Sequence, residues 1–249
     1  MALGVIEPPR AILLDGLGTL VALAPPWGPF AQVLWREHSI ELSSAEAEWA
    51  FTAEMHYYRA HHLEGSDAAA LAGLRARCAE VLHASLPPRA ARALSLDALT
   101  AAMLGALRFS LYPDVLATLT LLRARGFRLV VVSNWDVSLA STLDALGLAG
   151  VLDAVITSAG VGSAKPAPEV FHAALALIGV SAREALHVGD DPRLDVAGAQ
   201  AAGVLPVLLR RGPRPAAGSA AGSASWSPAQ GMPAGVTTIS SLADLPRLL

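Results

Sequence analysis

The feature that most constrains this chain is a run of four apolar residues, Ala11 to Leu14, that stops at Asp15 and is followed by Gly16-Leu17-Gly18-Thr19-Leu20. Four apolar residues are too few for a helix and suit a buried strand. A carboxylate at the end of such a strand, on a turn loosened by two glycines, projects beyond the edge of a sheet. In open α/β sheets ligands bind at that edge. A strand-end Asp also serves as an ordinary turn residue, so the remaining chain has to decide between the two.

Later segments repeat the pattern. Buried strands are expected over residues 128–132, 154–157, 185–188 and 205–209, with helices between them ending at Gly126, Gly147 and Gly203. A last strand is expected at 236–239 and a short closing helix at 242–248. This alternation predicts a mostly parallel sheet covered on both faces. Between Leu20 and Ser110 the period changes. Helices are expected at 30–38, 45–63, 68–85 and 96–109, with a capping box at Ser43 and Glu46 and N-caps at Ser66-Asp67 and Ser95. The reading is an all-helical four-helix insertion, residues 21–109, between the core segments 1–20 and 110–249. Trp27, Trp35 and Trp49 are expected to pack this bundle. Residues 212–235, rich in Gly, Ser, Ala and Pro, read as a flexible loop within the core.

Composition narrows the partners. The net charge is -3 with no basic block, which argues against nucleic acid. No apolar run reaches membrane-spanning length, and residues 1–10 do not read as a signal peptide. Cys78 is the single cysteine, so there is no internal disulfide, and a cytoplasmic location is expected. Lys165 is the only lysine in a chain that otherwise uses arginine. A compact point charge at one position, where a planar fork serves elsewhere, invites a chemical reason.

Asp15, Ser133-Asn134, Lys165-Pro166 and Asp190-Asp191 with Asp195 all fall at strand ends or loops on the carboxyl edge of the expected sheet. An acid, a small hydroxyl, one cation and an acidic pair suit phosphoryl transfer on a carboxylate nucleophile with a divalent cation. In order and content the four motifs resemble those of the haloacid dehalogenase-like superfamily. Asp15-Gly-Leu-Gly-Thr19 is similar to its first motif, Val130-Val-Val-Ser133-Asn134 to its second, Lys165-Pro166 to its third and Gly189-Asp190-Asp191-Pro-Arg-Leu-Asp195 to its fourth. The resemblance covers nearly the whole chain. It implies a Rossmann-like three-layer α/β core with a helical cap inserted after the first motif.

It also implies roles by position. Asp15 is the nucleophile and a Mg²⁺ ligand, with the Leu17 carbonyl and Asp190 as further ligands and Asp191 or Asp195 supporting through the water shell. Ser133, Asn134 and Thr19 bind phosphate, and Lys165 neutralises charge on the nucleophile and the transferring group. The substrate implied is a small phosphorylated metabolite; oligomeric state is not indicated. One departure stands out: phosphatases of the family carry a second Asp where this chain has Leu17, so acid–base help is expected to be weakened. A 2-haloacid dehalogenase-type hydrolase, which needs no such acid, and a catalytically weak binding or regulatory member are the alternatives. Asp136 is a candidate substitute acid, with helix capping as its ordinary role. In the helical segment Glu54, Tyr58, His61 and His62 share roughly one face and are candidates for a substrate pocket. His187 reads as a packed core histidine.

Overall fold

The computed structural model describes residues 8–212 and 235–249. The first strand, β1 (Ala11–Leu14), is followed by β2 (Val21–Leu23) and five helices: α1 (Trp27–His38), α2 (Ser44–His61), α3 (Ala68–Ser85), the single turn α4 (Pro88–Ala91) and α5 (Leu96–Ala106). The chain returns through β3 (Phe109–Leu111) to α6 (Val115–Ala124), β4 (Arg128–Ser133), α7 (Leu139–Ala145), β5 (Ala154–Thr157), α8 (Ser158–Val161) and α9 (Glu169–Ile178). It then forms β6 (Ala185–Gly189), α10 (Ala197–Ala201), β7 (Leu205–Leu209), β8 (Thr237–Ile239) and a closing 3₁₀ segment, Leu242–Arg247.

Among the described residues six strands form one sheet in the order β5-β4-β1-β6-β7-β8, and each pairing is parallel. The first strand is therefore central, and the chain builds outward from it to one side and then to the other. Alternation along the strands separates the two faces. Ile12, Leu14, Leu129 and Val131 pack against α6, α7 and the closing 3₁₀ segment. Ala11, Leu13, Val130 and Val132 pack against α9 and α10. This is a Rossmann-like three-layer α/β fold. Leu14 is level with Val131 on one side and Val188 on the other, so Asp15, Ser133 and Asp190 leave the sheet at the same edge.

The helices α1–α5 bury a separate apolar cluster, with Phe30 edge-on to Phe51 at 5.3 Å. The capping box at Ser43 and Glu46 forms, and Asp67 and Ser95 cap α3 and α5. Three expectations need correcting. The helix expected to reach residue 109 stops at Ala106, and Phe109–Leu111 instead pairs antiparallel with Val21–Leu23, zipping together the two crossings between the sheet and the helices. Trp35 and Trp49 are 58% and 71% exposed, and only Trp27 packs against the cluster. The buried stripes run through Phe30 and Leu34 on α1 and through Ala47, Ala50, Phe51 and Glu54 on α2, and both exposed tryptophans lie beside these stripes. The helix expected to end at Gly203 opens instead as a π turn, Pro192–Val196, before α10. The segment read as a flexible loop lies almost wholly outside the described residues, as does most of the N-terminal segment. No helix among the described residues is long and apolar enough to cross a membrane.

Candidate active site

Asp15 continues the sheet ladder, its amide donating to the Val188 carbonyl at 2.9 Å, and the residue is 6% exposed. One carboxylate oxygen is fixed. Asp15 Oδ1 accepts from Lys165 Nζ at 2.5 Å and from Ser133 Oγ at 3.1 Å. Oδ2 accepts no hydrogen bond among the described residues. A carboxylate held by one oxygen presents the other in a defined direction, which is what a nucleophile requires.

The single lysine is placed with equal care. Lys165 is 4% exposed, and its Nζ also donates to Asp195 Oδ1 at 2.6 Å. The Asn134 side chain grips the lysine backbone, Nδ2 donating to the Lys165 carbonyl at 3.0 Å and Oδ1 accepting from its amide at 2.7 Å. Sequence reasoning gave Asn134 a phosphate-binding role and missed this clamp. His187, expected only to pack, is fully buried against the Phe171 ring, and its Nε2 also donates to Asp195 Oδ1 at 2.9 Å.

The π turn sends the two later aspartates in different directions. Asp191 caps that turn, its Oδ1 accepting from the amides of Arg193 and Leu194 at 2.7 and 3.1 Å. Asp195, one wide turn later, swings back under Gly189. A Cβ on Gly189 would lie 2.1 Å from Asp195 Cγ, so only glycine leaves room. Asp195 joins the cluster, whereas Asp191 Oδ1 is held by the backbone at the cavity wall. Gly18, at φ +90°, is constrained in the same way, since a Cβ there would lie 2.4 Å from Asp190 Oδ2. Thr19 stands apart from the cavity: it is fully buried, and its hydroxyl has no partner among the described residues.

The electrostatics follow from one cation among three acids. Burial disfavours the charge on Lys165, but Asp15 and Asp195 outweigh it and raise its pKa. Burial likewise works against Asp195, and Lys165 and His187 overcome it, holding that carboxyl below the usual range. Asp15 is raised by burial, with Lys165 opposing. Asp190 is pushed up to about 8 by burial and by the charges of Asp15 and Asp195. With all three ionised, the cluster carries an excess of negative charge that one lysine does not balance. Oxygens of Asp15, Asp190 and Asp195 lie within 4.8 Å of one another. An all-oxygen, under-neutralised set of this kind suits a hard divalent cation such as Mg²⁺.

A cavity of 660 Å³ opens above this cluster and runs into the helices. Leu17, Asp136, Glu54, Tyr58 and His62 line it; His61 does not. The backbone leaves helical geometry at His61 (φ -122°), whose ring instead stacks on Tyr57 at 4.0 Å. Tyr58 donates to Asp136 Oδ2 at 2.7 Å, while Asp136 Oδ1 accepts from the Ser138 amide at 2.7 Å. Asp136 thus caps the turn before α7 and ties it to α2.

Glu54 is 7% exposed, and burial raises it from its ordinary 4.5 to about 7. The folded state therefore holds this proton more tightly than the unfolded chain. The stability it confers is complete below pH 4.5 and is lost as the pH rises to about 7. We expect Glu54→Gln to be more stable than the parent at pH 8, by at most about 3 kcal/mol, with the advantage vanishing at pH 4. Urea titrations at the two pH values measure this; an equal difference at both would contradict the assignment.

Comparison with known proteins agrees with this fold. Residues 9–203 match the family model described as haloacid dehalogenase-like hydrolase. The mouse haloacid dehalogenase-like hydrolase domain-containing protein 3 is 32% identical over 80% of this chain and 81% of its own length. A phosphoserine phosphatase of Thermus thermophilus is 42% identical over 43% of this chain, and the aligned stretch spans only 44% of that protein. The crystal structure of a HAD phosphatase from Thermococcus onnurineus superposes with a TM-score of 0.59 at 24% identity, over 96% of this chain and 97% of that one. The motifs, the sheet order and these likenesses place the chain in one family: it belongs to the haloacid dehalogenase-like hydrolases.

Proposed function

We propose that this hydrolase is a phosphatase that acts on a small phosphorylated metabolite through an aspartyl-phosphate on Asp15. The observation that carries the reading is the Asp15 carboxylate, with Oδ1 pinned by Lys165 and Ser133 and Oδ2 free beside the cavity. Asp15 Oδ2 attacks phosphorus, the new P–O bond forms as the ester P–O bond breaks, and the alcohol oxygen departs. Lys165 and Ser133 keep the nucleophile oriented and offset charge on the phosphoryl group. Water then attacks the aspartyl-phosphate, releasing inorganic phosphate and restoring the carboxylate. Asp15, Asp190 and the Leu17 carbonyl would hold Mg²⁺, with Asp195 alongside, and the ion would neutralise phosphoryl oxygens. The helical segment 21–109 serves as a cap over the core segments 1–20 and 110–249. The phosphatase among the relatives supports the reaction class.

Leu17 favours a second reading. A departing halide needs no proton, so C–X hydrolysis would tolerate an apolar residue there. The third carboxylate weighs against it, since Asp190 completes with Asp15 and Asp195 an all-oxygen set suited to a divalent cation, which halide departure does not call for. The deciding experiment measures hydrolysis of an aryl phosphate with Mg²⁺ and after chelation, alongside halide release from a 2-haloacid. Metal-dependent phosphate release is expected; metal-independent halide release alone would select the other reading.

The same residue yields a rate prediction. The leaving alkoxide needs a proton that Leu17 does not supply, and both oxygens of Asp136 are occupied. Leu17→Asp should therefore raise kcat for alkyl phosphates by ~10²- to 10⁴-fold, with a smaller gain for aryl phosphates, whose leaving groups are better. An equal gain for both would show that proton transfer is not the missing element.

A further inference from the structure

Glu54 is not explained by the chemistry at Asp15. It sits on α2, on the helical wall of the cavity, 7% exposed. Around it Met55, Leu74, Met103, Leu104 and Leu107 of the helical segment, with Phe109 of β3, supply most of the apolar lining. Among the described residues the groups that favour its charged form are the Cys78 thiol, a weak donor, and the more distant charge of Arg59, few against the several acceptor sites a carboxylate offers. A buried carboxyl so poorly served is costly in the empty protein and gains from a ligand that supplies an N–H or O–H. Its elevated pKa is consistent with that shortage of donors. The cavity, at 660 Å³, far exceeds what a phosphate group fills and lies in the range that encloses an organic ligand.

We propose that the cavity accepts a phosphomonoester whose leaving group has an apolar body ending in a hydrogen-bond donor, a hydroxyl or an amine, received by Glu54. The phosphate end of this assignment rests on the phosphatase reading; the Glu54 end stands on the cavity itself. Arg59 and Arg75 also line the cavity, and neither forms a salt bridge among the described residues, although the Arg59 charge acts on Glu54 from a distance. Arg59 is exposed and Arg75 half-buried, so an anionic group there would remain in contact with water. Glu54 is the desolvated group, and desolvated polar groups discriminate most strongly between ligands.

The test uses n-alkyl phosphates of graded length, each with its ω-hydroxy, ω-amino and ω-carboxy analogue. kcat/KM is measured for the parent, Glu54→Gln and Glu54→Leu, with circular dichroism to verify folding. The corresponding phosphate-free alcohols are titrated calorimetrically against the same proteins. The parent should prefer an ω-hydroxy or ω-amino ester over the plain alkyl ester by on the order of 10²-fold, and Glu54→Leu should reverse the order. The hydroxy and amino arms distinguish a neutral donor from a cation. No preference, or a preference for the ω-carboxy ester, would overturn the assignment, the latter pointing to Arg59 and Arg75. If no ester is turned over, the phosphatase reading fails and calorimetry decides the Glu54 assignment. Selective binding of the diol or amino alcohol by the parent but not by Glu54→Leu sustains it; equal binding by both removes it.

Discussion

Asp15→Asn should lower phosphatase turnover by at least about 10⁴-fold, the scale of removing a nucleophile, while leaving the fold as stable as the parent or more so. The amide keeps an oxygen that accepts from Lys165 and Ser133, so the neighbours remain in place. What disappears is a buried negative charge that its surroundings already disfavour. Activity and stability thus move independently, which separates loss of chemistry from loss of structure. Kinetics on an aryl phosphate and a thermal melt of the same preparation measure both. A variant that unfolds, or one that keeps parental turnover, would remove Asp15 from the centre of the mechanism.

Lys165→Met should have a large effect of a different kind. It withdraws the one cation bonded to Asp15 and Asp195 and leaves Asp15, Asp190 and Asp195 together at the base of the cavity. Breaking a buried charge pair from one side costs about 3–5 kcal/mol, and loss of the charge facing the phosphoryl group should cost ~10²- to 10³-fold in kcat. Lys165→Arg should fail to restore activity. The ammonium lies 2.5 and 2.6 Å from two different carboxylates, a geometry that a point charge meets and a planar fork does not. Asn134 holds residue 165 by both its backbone N–H and its carbonyl, which limits any shift to fit a longer side chain. Chemical denaturation of both variants, with rates at saturating substrate, checks this; parental activity in Lys165→Arg would contradict the geometric argument.

Much of this architecture was legible because the relevant signals are local. The run Ala11–Leu14 reads as a buried strand since both of its faces are covered, and the glycine-bounded segments after residue 112 mark each later strand. Lys165 stood out by composition alone. What the sequence hid depends on where distant segments meet. Asp191 and Asp195 are equivalent on paper, and only the π turn sends the second under Gly189 while the first caps the backbone. The Asn134 clamp joins residues far apart in the chain. The ribbon of β2 and β3 uses three residues per strand, too few to show alternation. In the helices, small alanines fill the buried stripe of α2 beside Phe51, so Trp49 is left in solvent although its size suggested a core role.

The central claim is that Asp15 takes a phosphoryl group from substrate. The most direct measurement is acid quenching during turnover of an aryl phosphate in Mg²⁺, followed by tandem mass spectrometry of the peptide that contains Asp15. A phosphoryl adduct on Asp15 is expected, accumulating further with the parent than with Leu17→Asp, whose added carboxylate speeds attack by water. A peptide that remains unmodified during metal-dependent turnover, or an adduct carrying the carbon skeleton of a haloacid in place of phosphate, would contradict it.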